Sequence, residues 1–118
     1  MVYSIMDFTV RLLAPAYDFI ESLPEKMQNK VYRSIDLLRE FGHRLPEPYC
    51  KKIKGTHDLK ELRVKLATDI CRLFYFHHKG KVYVVTSGYV KKKDKTDKEE
   101  IERALRLRDK IVKENVPW

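Results

Sequence analysis

Apolar residues return every three or four positions in the first part of the chain and every second position in the middle, so the pattern passes from helical to extended along the sequence. Tyr3–Phe8 is rich in aromatic and β-branched types and reads as a short first strand. From about Arg11 to Glu21, Leu12/Leu13, Ala16/Tyr17 and Ile20 predict a short helix. Ser22-Leu23-Pro24-Glu25 then restarts one: Ser22 is placed to cap, Pro24 is tolerated in a first turn, and Glu25 completes a capping box. Met27, Val31, Ile35, Leu38 and Phe41 follow as the apolar stripe of an amphipathic helix. Gly42 is placed to end it, and Pro46 and Pro48 keep the next stretch extended.

Beyond this point the period is two. In Leu62-Arg63-Val64-Lys65-Leu66 a strand buries Leu62, Val64 and Leu66 and projects Arg63 and Lys65 together from its other face. Ala67-Thr68-Asp69 is a turn, Ile70–Phe76 a strand with the single charge Arg72, and His78-Lys79-Gly80-Lys81 a second turn. Val82–Ser87 is the third strand of this meander and runs through Gly88-Tyr89-Val90 into Lys91-Lys92-Lys93-Asp94-Lys95. Thr96 then caps a last helix, with Asp97, Glu99 and Glu100 in its first turn and Ile101, Ala104, Leu105, Arg108 and Ile111/Val112 as its stripe. The order β-α-α-β-β-β-α predicts one α+β domain over residues 1–118, with helices packed on one face of a mostly antiparallel sheet.

Composition changes this picture in one respect. The formal net charge is +8, and all of the excess lies between Lys51 and Lys95, where thirteen Lys/Arg face four Asp/Glu. Such a localised field selects a polyanion, and nucleic acid is the commonest one in a cell. A solvated basic surface is the plainer alternative. No apolar run is long enough to span a bilayer, the first seven residues lack a basic lead, and two cysteines make no disulfide framework. A reduced cytoplasmic protein, away from membranes, is the expectation.

Arg63, Lys65 and Arg72 are the candidate chemical group. Arg63 and Lys65 share a strand face, and hairpin pairing brings Arg72 near them. Cleavage of RNA by its own 2′-hydroxyl builds charge on the phosphate oxygens and on the departing 5′-oxygen. Fixed cations stabilise that charge, and arginine grips phosphate with two parallel donors. The plainer reading is a binding face, with the in-strand arginine paired to Glu61 or Asp69. His57, in the loop Lys54-Gly55-Thr56-His57-Asp58, is a candidate general base or an ordinary loop histidine. Tyr89 is a candidate for stacking or proton donation, or for packing. Lys54, Lys91, Lys92, Lys93 and Lys95 are candidate RNA contacts. His77-His78 lack partners at metal-ligand spacing, Cys71 faces away from Arg72, and no cofactor loop occurs, so neither metal nor cofactor is expected.

The strings Leu59-Lys60-Glu61-Leu62-Arg63, Cys71-Arg72-Leu73-Phe74-Tyr75-Phe76 and Gly88-Tyr89-Val90-Lys91-Lys92 through Glu99-Glu100-Ile101, with the early Phe19-Ile20-Glu21-Ser22-Leu23-Pro24, resemble the ordered motifs of phage-derived HigB-like toxins in the RelE/ParE superfamily. Cys71, Tyr89 and Asp97 depart from the family's usual tyrosine, phenylalanine and proline. The resemblance implies a RelE-like fold and a toxin of a type II toxin–antitoxin system that cuts mRNA in the ribosome without a metal. It also implies inhibition by a cognate antitoxin, often a helix-turn-helix protein. By position, Arg63, Lys65 and Arg72 match the basic residues of RelE-type active sites, and Lys91 and Lys92 match the family's paired lysines. No residue matches the family's C-terminal acid or base, which leaves His57, Lys65 and Tyr89 as competing proton carriers. ParE-like relatives, which bind gyrase without chemistry, and an RNA- or ribosome-binding module without activity are the other readings.

Overall fold

The computed structural model describes residues 7–92 and 97–118. Before the meander come β1 (Thr9–Leu12), α1 (Ala14–Glu21), α2 (Glu25–Phe41), a single 3-10 turn (Gly42–Arg44) and the short β2 (Cys50–Lys52). The meander is β3 (Lys60–Leu66), β4 (Asp69–Lys79) and β5 (Val82–Val90), and α3 (Lys98–Glu114) closes the chain. The strands form one sheet in the order β1-β5-β4-β3-β2, antiparallel except where β1 runs parallel to β5. The expected α+β domain with a mostly antiparallel sheet is therefore the observed one.

Alternation along the strands divides the sheet into two covered faces. Leu62, Val64, Cys71, Leu73, Tyr75 and Val85 point to one side, where α1 and α2 bring Ala16, Ile20, Met27, Val31, Ile35 and Leu38. The intervening residues Phe74, Phe76 and Val84 meet Ala104 and Ile111 of α3 on the other side. The expectation of helices on one face thus holds for α1 and α2 but not for α3. The cause is that the middle of β4, from Ile70 to Phe76, is apolar at every position but Arg72, as a stretch covered on both faces must be.

Several boundaries differ from the sequence expectations for local reasons. Of the expected first strand, residues 3–6 lie outside the described residues, and Asp7 and Phe8 precede β1. The Phe8 ring packs edge-on against Tyr83, at 5.6 Å between centroids, and the ladder runs from Thr9 to Leu12 instead. That pairing occupies Arg11 and Leu12, so α1 begins only at Ala14, with Pro15 in its first turn. Ser22 caps nothing: its hydroxyl donates to the Phe19 carbonyl at 2.6 Å, and α2 begins after Pro24 with no side-chain cap. Phe41, expected on the buried stripe, is exposed. The stretch after Pro48, expected simply to be extended, pairs as β2 with β3. The second turn is tighter than expected, because β4 runs on to Lys79 and the reversal uses Gly80 at positive φ. Thr96, the expected cap of α3, lies outside the described residues; Asp97 serves, accepting from the Glu99 amide at 2.9 Å.

Two glycines are required by close approach. Gly42 ends α2 at φ +54°, and a Cβ there would enter the Phe8 ring. At Gly88 a Cβ would stand 2.6 Å from Phe19 Cδ2 and 3.1 Å from the Arg72 carbonyl oxygen. Gly42→Ala combines backbone strain with overpacking, so urea unfolding should show it less stable by about 1–3 kcal/mol. A loss no greater than that of a surface substitution would contradict the close approach.

Candidate nucleic-acid site

Register places the candidate residues in two rows on the face of the sheet that α3 partly covers. Arg63 of β3 stands directly opposite Arg72 of β4, which in turn stands opposite Tyr89 of β5. Lys65 pairs with Ile70 in the same way, and the Lys91 amide continues the ladder by donating to the Ile70 carbonyl at 2.8 Å. Arg63–Arg72–Tyr89 and Lys65–Ile70–Lys91 are thus adjacent three-strand rows. Lys92 follows Lys91 beyond the strand and is exposed. Lys93 and Lys95 lie outside the described residues.

The members of this group differ sharply in exposure. Lys65 is exposed, and Arg63, Tyr89 and Lys91 are half-buried. Arg72 is only 4% exposed, and its Nη1 donates to Glu61 Oε1 at 2.8 Å. Glu61 lies two residues before Arg63 on the same face, diagonal to Arg72 across the ladder. The carboxylate therefore compensates one arginine of a like-charged cross-strand pair. The in-strand arginine is paired with Glu61, as the plainer sequence reading allowed. Among the described residues no ion pair involves Arg63 or Lys65.

Tyr89 stacks on Phe74 with centroids 5.7 Å apart and planes 16° from parallel. Its hydroxyl accepts from the Asp97 amide at 3.3 Å, which ties the end of β5 to the start of α3. Cys71, between Ile70 and Arg72, turns to the core; burial, and after it the Asp69 charge, pushes its thiol up to about 11. A thiolate nucleophile is thereby disfavoured. Burial also raises the Tyr75 phenol, reinforced by a hydrogen bond with Cys50.

His57 and Lys54 are not brought to this group. Their loop leads into the Lys60 end of β3, and five residues of strand separate that end from Lys65, roughly 17 Å. His57 is exposed there, beside Asp58, Arg108 and Asp109. Arg108 of α3 pairs with both of those aspartates. Burial opposes its charge, but hydrogen bonds to Asp109 and Asp58 outweigh this and raise its pKa. This junction fastens α3 to the loop before β3. Among the described residues, no cluster of histidine, cysteine and carboxylate side chains is placed to hold a metal ion.

Sequence reasoning missed one set of residues beside the site. Lys30, Arg33 and Tyr49 line a groove together with Arg63 and Lys65. Their signal was available: Lys30, Arg33, Ser34 and Leu37 recur at helical spacing next to the apolar stripe of α2.

The sheet order, the helix placement and the cationic strand rows define a protein of the RelE fold. The E. coli toxin RelE, an arginine-to-alanine double mutant in the free state, is similar with TM-score 0.61 at 20% identity, covering 86% of this chain and 97% of its own. The archaeal RelE–RelB complex from Pyrococcus horikoshii OT3 gives TM-score 0.53 at 21% identity, covering 77% of this chain and 100% of its own. The intact E. coli RelBE toxin–antitoxin complex gives TM-score 0.53 at 19% identity, covering 75% of this chain and 99% of its own. No curated protein matches the chain. The model of the family described as phage derived protein Gp49-like matches residues 18–109, most of the chain, and the chain belongs to that family.

Proposed function

We propose that this protein is the toxin of a type II toxin–antitoxin pair, of the HigB-like branch, and acts in the cytoplasm as a ribosome-dependent, metal-independent mRNA endonuclease. The observation that carries this reading is the registered cationic face, with Arg63 and Lys65 on β3 and Lys91 just past β5, flanking the start of β4. In the reaction the 2′-hydroxyl attacks the adjacent phosphorus and the bond to the 5′-oxygen breaks. The hydroxyl proton leaves to a base, and a second proton reaches the departing 5′-oxygen. The products are a 2′,3′-cyclic phosphate and a 5′-hydroxyl end. Arg63 grips the phosphate oxygens, and Lys65 stabilises developing charge or carries a proton. Lys91 and Lys92 hold flanking RNA or ribosomal RNA, and Tyr89 stands at the end of the arginine row as the remaining proton carrier on this face. Lys93 and Lys95 extend the RNA contact in this reading. Arg72 acts through its neighbours, held by Glu61 beside Arg63, and is a positioning residue.

The antitoxin partner, by the motif resemblance a helix-turn-helix protein, is part of the same proposal. Two of the similar structures are complexes of a RelE toxin with its RelB antitoxin. Among the described residues no helix is long and apolar enough to cross a membrane. Burial of Arg72 favours a second reading, an RNA- or ribosome-binding module without cleavage, because it removes one of three converging cations from the surface. ParE-like inhibition of gyrase is separated by order of events. In cells induced to express the chain, pulse-labelling should show protein synthesis falling before DNA synthesis. Replication stopping first would replace the nuclease with a gyrase poison.

A further inference from the structure

We propose that the groove between α2 and the open edge of β3 is a subsite for single-stranded RNA, holding one nucleotide beside the cationic face. The proposal rests on the nuclease reading for its biological setting, but the binding site stands on its own geometry. The groove has a volume of about 570 Å³, within the range of small-ligand sites. Its walls carry four cations from two elements, Lys30 and Arg33 of α2 and Arg63 and Lys65 of β3, and no carboxylate lines it. Among the described residues none of the four is in an ion pair. Cations on both walls give the groove a positive field that favours an anion.

The backbone adds to the site. β2 pairs with β3 only as far as Cys50 opposite Leu62, and the last bond on that side runs from the Arg63 amide to the Tyr49 carbonyl at 2.9 Å. Peptide groups two residues apart point the same way, so the Lys65 peptide faces the groove with no strand beyond it among the described residues. Its N–H is a further donor for a phosphate oxygen. Tyr49 forms part of the rim and is 47% exposed, a flat ring beside a cationic slot. An unpaired base can stack there while its phosphate lies between Lys30 and Arg33, whereas a duplex hides its base faces. An acidic protein segment would satisfy the charges but has no use for the exposed ring.

The test is fluorescence anisotropy of wild-type protein with a labelled, non-cleavable 2′-O-methyl oligouridylate, titrated at several salt concentrations. Removing two phosphate contacts in Lys30→Gln/Arg33→Gln should reduce the slope of log affinity against log salt by about 1.4. Tyr49→Ala should weaken binding about 5- to 150-fold, and Tyr49→Phe, which keeps the ring, should bind like wild type. Thermal melts confirm that these surface variants fold. Unchanged affinity and slope in the folded variants would overturn the subsite. So would failure of the RNA to bind while a polyglutamate peptide binds and loses affinity in the same variants. Cleavage is scored separately in cells. Binding through the groove with intact mRNA sustains the subsite and removes the nuclease. Cleavage by folded variants that also bind as wild type removes the subsite alone.

Discussion

Replacing Glu61 by alanine is expected to lower the stability of the fold by about 3–5 kcal/mol, the usual cost of leaving one member of a buried ion pair behind. Glu61 is fully buried and Arg72 nearly so, so water cannot replace the lost carboxylate without disturbing the packing around the pair. Arg63 directly opposite Arg72 makes the loss worse, since the compensating charge between two cross-strand arginines disappears. A small domain has roughly 5–15 kcal/mol in total, so the variant should be largely unfolded in mild urea. Glu61→Leu combined with Arg72→Met should recover most of the loss, because an apolar pair of similar volume avoids the desolvation of both charges. Equilibrium urea unfolding of the three proteins measures this. A Glu61→Ala loss below about 1 kcal/mol, the scale of an exposed pair, would show that the two groups are solvated in solution.

The second large effect is on activity. Arg63→Ala should leave stability within about 0.5 kcal/mol of wild type, the range of ordinary surface substitutions. It should nevertheless cut the rate of mRNA cleavage on programmed ribosomes by about 100- to 1,000-fold, the scale of losing one oriented transition-state contact. Arg63→Lys keeps the charge but loses the two-pronged donor geometry, so it should fall between the two. Arg72 is unsuitable for this comparison, because its replacement disturbs the buried pair and confounds activity with folding.

Much of the site was legible because strand register follows from alternation. Arg63 and Lys65 share a face by spacing alone; the expected turn Ala67-Thr68-Asp69 is one residue shorter in the structure, where Asp69 already pairs with Leu66, and that register sets Arg72 opposite Arg63. The stripe of α2 was equally legible from Met27 to Leu38, which are buried as expected. What depended on tertiary packing was not. That α3 crosses to the second face follows from where Phe74 and Phe76 find partners, which no local pattern states. β2 has only three residues, Cys50-Lys51-Lys52, too few to show a period. The groove requires α2 and β3 to be adjacent, so helical spacing alone could not bring Lys30 and Arg33 together with Arg63 and Lys65. His57 stood near Arg63 in sequence, yet an extended strand carried the two apart.

The central claim is that Arg63 and its neighbours cut mRNA rather than merely hold it. The most direct measurement is a map of mRNA 5′ ends, with their chemistry, after brief induction of the wild-type chain and of Arg63→Ala at equal protein levels. New 5′-hydroxyl ends in phase with codons for the wild type, and none above background for the variant, are the expected result. Intact messages in both, or the same ends at the same yield in both, would contradict it.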